Sequence, residues 1–270
     1  MEAAVKQLWT AADIAAWPKG GDGFVEAFAK GLAVMSAFEG ADGGLTMAQA
    51  AQRTGLPRAG ARRMLLTLVA LGLARQSADG RFSLTSRVLR LGYSYLSSLD
   101  IAERARPVVE ALSAATNETV AVSVLDGAEV TFVARADVAR ILRNRLSVGS
   151  RLPAFCTSMG RVLLTQPAPD ALRALLEGTE RPAYTGQTLT GIADLMAEIA
   201  RVKAQGWALV SEELEPGACG IAAPIRDADG TVVAALNLST NLGRTSRAAL
   251  EGDLLEKLLA AAEGLSAAGG

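Results

Sequence analysis

Apolar positions along the chain fall into two kinds of pattern. Phe24, Phe28, Leu32 and Met35 recur four, four and three residues apart, the spacing of one helix face, and predict a first helix from Phe24 to Phe38. Ala61, Met64, Leu65, Leu68 and Leu71 repeat that spacing, as do Ile101, Ala105, Val108, Val109 and Leu112. Short apolar runs predict strands at Leu73–Gln76, Arg81–Leu84, Val120–Leu125, Val130–Ala134, Ile141–Val148, Trp207–Glu213, Ile221–Arg226 and Val232–Ser239. Asp79-Gly80, Asp126-Gly127 and Asp229-Gly230 sit between consecutive runs and read as hairpin turns. Further helices are expected at Pro169–Glu177, Ile192–Gln205 and Ser246–Leu265, with a short one before Trp17 that uses Val5, Leu8, Trp9 and Ala12.

The boundaries around residue 50 are written in more detail. Thr46 followed by Gln49 is a capping box, Gly55 suits a left-handed helix end, and Pro57 suits the start of a second helix that Gly72 would close. Helix, tight turn, helix and hairpin make a winged helix-turn-helix, whose second helix enters a DNA major groove. From Arg53 to Arg90 there are eight arginines against one acid, Asp79, a local +7 suited to phosphates. Arg58, Arg62, Arg63, Arg75 and Arg81 are the candidate DNA contacts on double-stranded promoter DNA. A winged helix that binds another protein with a solvated basic face is the bland alternative. Thr85 caps a further helix, Ser86 to about Ser98, with Val88, Leu89, Leu91 and Tyr95 apolar, a linker and a natural dimer contact.

The expected organisation is an extension over 1–21, the winged helix over 22–84, the linker over 85–99 and a second domain over 100–270. Strands interleaved with helices make that domain α+β, with a mainly antiparallel sheet flanked by helices. Charge divides along the same line: residues 22–98 balance at +4 and residues 99–270 at −5. A basic reader joined to an acidic domain fits a regulator. No histidine exists in the chain, which excludes His-dependent triads, His metal sites and a His switch. Two cysteines, Cys156 and Cys219, give neither a disulfide framework nor metal spacing. Without a base beside them they read as small buried apolar residues, so no enzyme activity, cofactor or metal is expected. No apolar run reaches the ~18 residues of a membrane helix, and a signal peptide's pattern is missing, so a soluble cytoplasmic protein is expected.

Two segments of the second domain carry candidate ligand chemistry. Thr157, Ser158, Met159 and Gly160 precede a helix expected over Arg161–Thr165, where free N–H groups and hydroxyls can receive a carboxylate. An ordinary N-cap explains the same residues. Glu212-Glu213-Leu214-Glu215-Pro216-Gly217-Ala218-Cys219-Gly220-Ile221 has glycines that allow close backbone approach before a strand, or its Glu cluster is simply a solvated loop. Asn237 and Ser239 point to one face of the last strand, as pocket anchors or on an exposed sheet face.

These residues together resemble the IclR family of transcription regulators from Gly23 to Leu265. The resemblance is carried by FAKGLAVMSAF, TGLPRAGARRMLLTL, DGRFSLTSRVLRLGYSYL, LPAFCTSMGRVLL, GWALVSEELEPGACGIAAPI and DADGTVVAALNLS. LGYSYLSSLD, CTSMGR and ALNLST further resemble the subgroup that governs protocatechuate, 4-hydroxybenzoate and β-ketoadipate catabolism. The resemblance implies a homodimer or a tetramer made of dimers, and a small organic or aromatic carboxylate as effector. It also implies an effector site at Thr157, Ser158, Met159, Gly160, Cys219, Gly220, Asn237 and Ser239, with the linker helix passing the ligand's preference to the DNA readers. Relatives often carry a basic residue where this chain has Cys219, and some have Ser in place of Asn237, so the effector's identity does not transfer. The alternative is a DNA-binding regulator whose second domain serves assembly or protein contacts without an effector.

Overall fold

The computed structural model describes residues 9, 11–17, 23–41, 43–96, 99–138 and 146–267. These divide into two compact units, 9–95 and 96–267.

The first unit holds α1 (Ala11–Ala16), α2 (Glu26–Ser36), α3 (Met47–Thr54), α4 (Arg58–Ala70), β1 (Ala74–Gln76) and β2 (Phe82–Leu84). The capping box forms as expected: Thr46 Oγ1 accepts from Gln49 N–H at 3.2 Å and Gln49 Oε1 from Thr46 N–H at 2.9 Å. Gly55 ends α3 at φ 66°, a left-handed conformation that costs glycine little. The two strands pair antiparallel around Asp79-Gly80. Leu45, Ala50, Leu56, Ala61, Leu65, Leu68, Ala74 and Phe82 form the core of a winged helix-turn-helix. Two expectations about apolar faces change. Leu71 lies beyond the end of α4 and is exposed, so the buried stripe stops at Leu68. In α2 Ala33 and Val34, with Ala37 just past its end, face the core, because these smaller residues allow close approach. Phe28 is 68% exposed and lines an open apolar hollow with Trp9, Trp17, Phe24 and Leu32. Val5 and Leu8 of the first expected helix lie outside the described residues.

Thr85 opens a short 3-10 turn, Ser86–Val88, that leads into α5 (Leu89–Leu96). Leu91 and Tyr95, four apart on one side of α5, are exposed, and so is Leu89.

The second unit contains α6 (Asp100–Thr116), β3 (Thr119–Asp126), β4 (Glu129–Ala136), β5 (Arg151–Pro153), α7 (Ser158–Leu163), α8 (Pro169–Glu177), α9 (Ile192–Gln205), β6 (Ala208–Ser211), β7 (Ala218–Arg226), β8 (Val232–Asn241), α10 (Arg247–Ala249) and α11 (Leu255–Ala267). The strands form one antiparallel sheet in the order β5-β4-β3-β8-β7-β6. Its centre joins the first and last strands of the unit. One face packs a core with α6 and α11 through Val109, Leu236, Leu238 and Leu258. The other packs α7, α8 and α9 through Phe132, Met159, Leu195 and Ile199.

The strand expected at Ile141–Val148 is corrected in part. Residues 141–145 lie outside the described residues, 146–148 are not strand, and β5 at Arg151–Pro153 takes the edge position instead. The closing helix is also interrupted. A wide π turn over Leu250–Leu254 separates α10 from α11, with Gly252 outside helical geometry. Among the described residues no helix is long and apolar enough to cross a membrane.

Candidate functional site: a basic helix and a buried polar cluster

In the first unit, α4 starts from Pro57, and Arg58, Arg62 and Arg63 project from its first two turns into solvent. Arg75 stands exposed on β1. These four make no ion pair or side-chain hydrogen bond among the described residues. Arg81 differs: its guanidinium donates to the Gly44 carbonyl at 3.0 Å and faces Asp79 at 3.8 Å, so part of it braces the wing. Arg53 is also structural, donating to the carbonyls of Ala37 and Glu39 at 2.8 Å each.

In the second unit the helix after the LPA segment starts at Ser158, earlier than the expected Arg161–Thr165. Thr157 is its N-cap: Oγ1 accepts from Gly160 N–H at 3.3 Å and donates to the Pro153 carbonyl at 2.9 Å. A side chain at Gly160 would meet the Ala154 backbone at 2.1 Å, so this position admits only hydrogen and lets α7 sit tight on the chain before it. Ser158 lies under that turn. Asn237 Nδ2 donates to Ser158 Oγ at 3.4 Å and to Ser239 Oγ at 3.1 Å, and Ser239 Oγ returns a bond to Asn237 Oδ1 at 3.4 Å. Gly220 faces them, since a Cβ there would stand 2.9 Å from Ser158 Oγ and 3.4 Å from Asn237 Nδ2. Asn237 is 1% exposed, a polar group deep in an apolar layer with long hydrogen bonds.

Ser158, Gly220, Asn237 and Ser239 are therefore brought together on one face of the sheet, with Met159 beside them. Met159 accepts from the buried Ser123 hydroxyl at 3.1 Å through its sulfur. Cys219 does not join this group. Strand alternation turns it to the opposite face, into the core shared with α6 and α11. Burial raises the Cys219 thiol, and burial together with the Glu213 charge pushes the Cys156 thiol up to about 12. Neither is a thiolate near neutral pH.

The segment Glu212–Gly220 is not a solvated loop. Glu213 is buried and receives Arg161 Nη2 at 2.7 Å and the Leu189 N–H at 3.0 Å. Arg161, 3% exposed, also donates to the Phe155 carbonyl at 3.2 Å and faces Glu198 at 3.6 Å. Thr185 and Thr188 donate to the carbonyls of Glu212 and Glu213 at 2.6 Å each. Glu212 sits at φ 57°, a strained position for a side chain, held by Gly217 N–H on its carboxylate at 2.9 Å. An arginine inside an apolar helix run gave no sign of its acidic partner fifty-two residues away.

Sequence reading also missed Arg135. The β3–β4 register shifts between Val122 and Ser123, a β-bulge that pairs Ala121 with Arg135 and Ser123 with Phe132. Val133 and Ala134 both turn into the α6–α11 core, and Phe132 and Arg135 both face the polar cluster's side. Arg135 stacks on the Phe132 ring at 5.3 Å, and its side chain is 5% exposed. Asp137 takes two of its nitrogens, Nε at 3.0 Å and Nη2 at 2.6 Å. Among the described residues no cluster of Cys, Asp or Glu is arranged to hold a metal.

Comparison with known proteins adds an independent line. Residues 27–78 match the IclR helix-turn-helix domain, and residues 93–267 match the C-terminal domain of the bacterial transcriptional regulator IclR. The chain is 46% identical to the Pca regulon regulatory protein of Pseudomonas putida over 244 residues, which is 90% of this chain and 83% of that one. The crystal structure of a transcriptional regulator from Rhodococcus sp. RHA1 is similar with a TM-score of 0.80 at 45% identity, covering 90% of this chain and 98% of that one. An IclR homologue from Microbacterium hydrocarbonoxydans, solved in complex with 4-hydroxybenzoate, is similar with a TM-score of 0.77 at 26% identity, covering 89% of this chain and 98% of that one.

Proposed function

The chain belongs to the IclR family of bacterial transcriptional regulators, and from that premise we propose that it binds promoter DNA through α4 and the wing and answers to a small aromatic acid held in its second unit. Its relatives regulate transcription, and one of them binds 4-hydroxybenzoate. The gene set under its control is one for aromatic-compound catabolism, and the protein works in the cytoplasm as a homodimer or a tetramer of dimers. Exposed Leu91 and Tyr95 on α5 support a contact between copies there. Arg58, Arg62, Arg63 and Arg75 meet phosphates or base edges, with Arg81 held nearer the backbone of the wing.

One observation carries the effector reading. Ser158, Asn237 and Ser239 share long hydrogen bonds beside Gly220, inside a largely apolar layer. Such groups are strengthened when a ligand gives them better partners, which is the usual make-up of a small-molecule site. No chemistry is assigned to the site; the ligand shifts the balance between two arrangements of the subunits by its difference in affinity for them.

A thermal-shift screen of the purified protein tests this, using protocatechuate, 4-hydroxybenzoate, β-ketoadipate, pyruvate and glyoxylate. A saturable rise with 4-hydroxybenzoate or protocatechuate is expected. At a hundred times Kd the gain is about 2.7 kcal/mol, well within detection. Ser158→Ala should weaken that response. A flat screen against all the aromatic acids would discard the effector reading and leave the second unit to assembly or protein contacts.

A further inference from the structure

A carboxylate is held most strongly by a cation, and the polar cluster has none. The start of α7 is a weak substitute: the helix has six residues, and Thr157 already takes the Gly160 and Arg161 N–H groups. Register on the sheet supplies a stronger partner. Arg135 of β4, Ala121 of β3, Asn237 of β8 and Ala222 of β7 are successive cross-strand partners, so they form one row on one face. Strands lie about 4.8 Å apart, which sets Arg135 and Asn237 roughly 10 Å apart at the backbone, with the small, buried Ala121 as the residue between them in the row. The neighbouring row runs Thr119, Ser239 and Gly220, again small side chains. A single benzene ring with polar groups at opposite ends fits that spacing.

We propose that Arg135 is the cationic anchor for the effector's carboxylate, with the far substituent of the ring meeting Asn237 and Ser158. The proposal rests on the effector reading above and names the residue that makes the ligand an acid. Phe132, with its ring beneath the guanidinium, offers an aromatic wall and a cation–π contact. Asp137 is the resident stand-in for the ligand: it grips the guanidinium by Nε and Nη2, the fork geometry an incoming carboxylate would use. Its side chain is 47% exposed, so it can turn into water when displaced, while Arg135 stays buried. Thr119 Oγ1 donates to Asp137 at 3.3 Å and is freed for the ligand by the same exchange.

Isothermal titration of the full-length protein with 4-hydroxybenzoate and with neutral 4-hydroxybenzamide decides it. Wild type should prefer the acid by at least about tenfold, the yield of a charge-assisted bond. Arg135→Gln should erase the preference by weakening the acid alone, and Arg135→Lys should restore part of it. Asp137→Asn should tighten the acid several-fold and leave the amide where it was. An Arg135→Gln protein that still prefers the acid by the wild-type margin overturns the anchor while the effector reading stands. If that variant does not fold, Asp137→Asn decides: unchanged acid affinity rejects the exchange. A wild type that binds neither probe overturns the anchor for this acid, and the effector reading then stands or falls with the other aromatic acids of the thermal-shift screen.

Discussion

Cys156 shows how far a single residue can be read. Its composition-level reading as a small buried apolar group agrees with 1% exposure between Phe155 and Thr157. The structure adds the energetic side. Burial and the Glu213 carboxylate disfavour the thiolate, raising the group from an ordinary 9.0 to about 12. A folded-state value above the unfolded one means the neutral thiol stabilises the fold below pH 9 and loses that contribution as pH rises towards 12. Native protein at pH 8 should therefore resist thiol alkylation at Cys156 and label readily only after denaturation; equal labelling rates in the two states would contradict the burial. Asn237 and Ser239 were legible as a pair because alternation on a strand has period two. Arg135 and the Arg161–Glu213 pair were not, since the first depends on a break in that alternation and the second joins positions far apart in sequence.

At the scale of elements, boundaries marked by their own chemistry were readable. Thr46, Gly55 and Pro169 each end or begin a helix for a local reason, and the helices they bound fall where the pattern set them. Elements defined by partners were not readable. β5 is three residues long and exists because β4 offers it an edge, and the π turn at Leu250–Leu254 has no periodic signature. The α2 face was misread because small residues pack closer than aromatic ones and leave Phe28 outside. The capping box gives the measurable case. Thr46→Ala removes the acceptor for Gln49 N–H and should cost about 1 kcal/mol of stability in the DNA-binding unit, with Thr46→Ser recovering most of it. Denaturant unfolding followed on that unit alone checks this, and an unshifted midpoint would show the cap to be idle.

For the whole molecule, charge is the property that could be read early and used late. The +4 and −5 halves predict that salt acts on DNA binding through the first unit only. If Arg62 contacts a phosphate, Arg62→Ala should weaken binding to duplex DNA and lower the slope of log K against log salt by about 1; an unaltered slope takes it out of the phosphate set. The bulge in β4 has a consequence of a different kind, one for reading relatives. It stores one surplus residue, so losing Val133 would leave Phe132 and Arg135 on the faces they now occupy. A related chain without that residue carries the same arginine one place nearer its hairpin. A gap-free alignment would set that arginine against Ala134, and the ligand's cation would vanish from the comparison even though both proteins possess it.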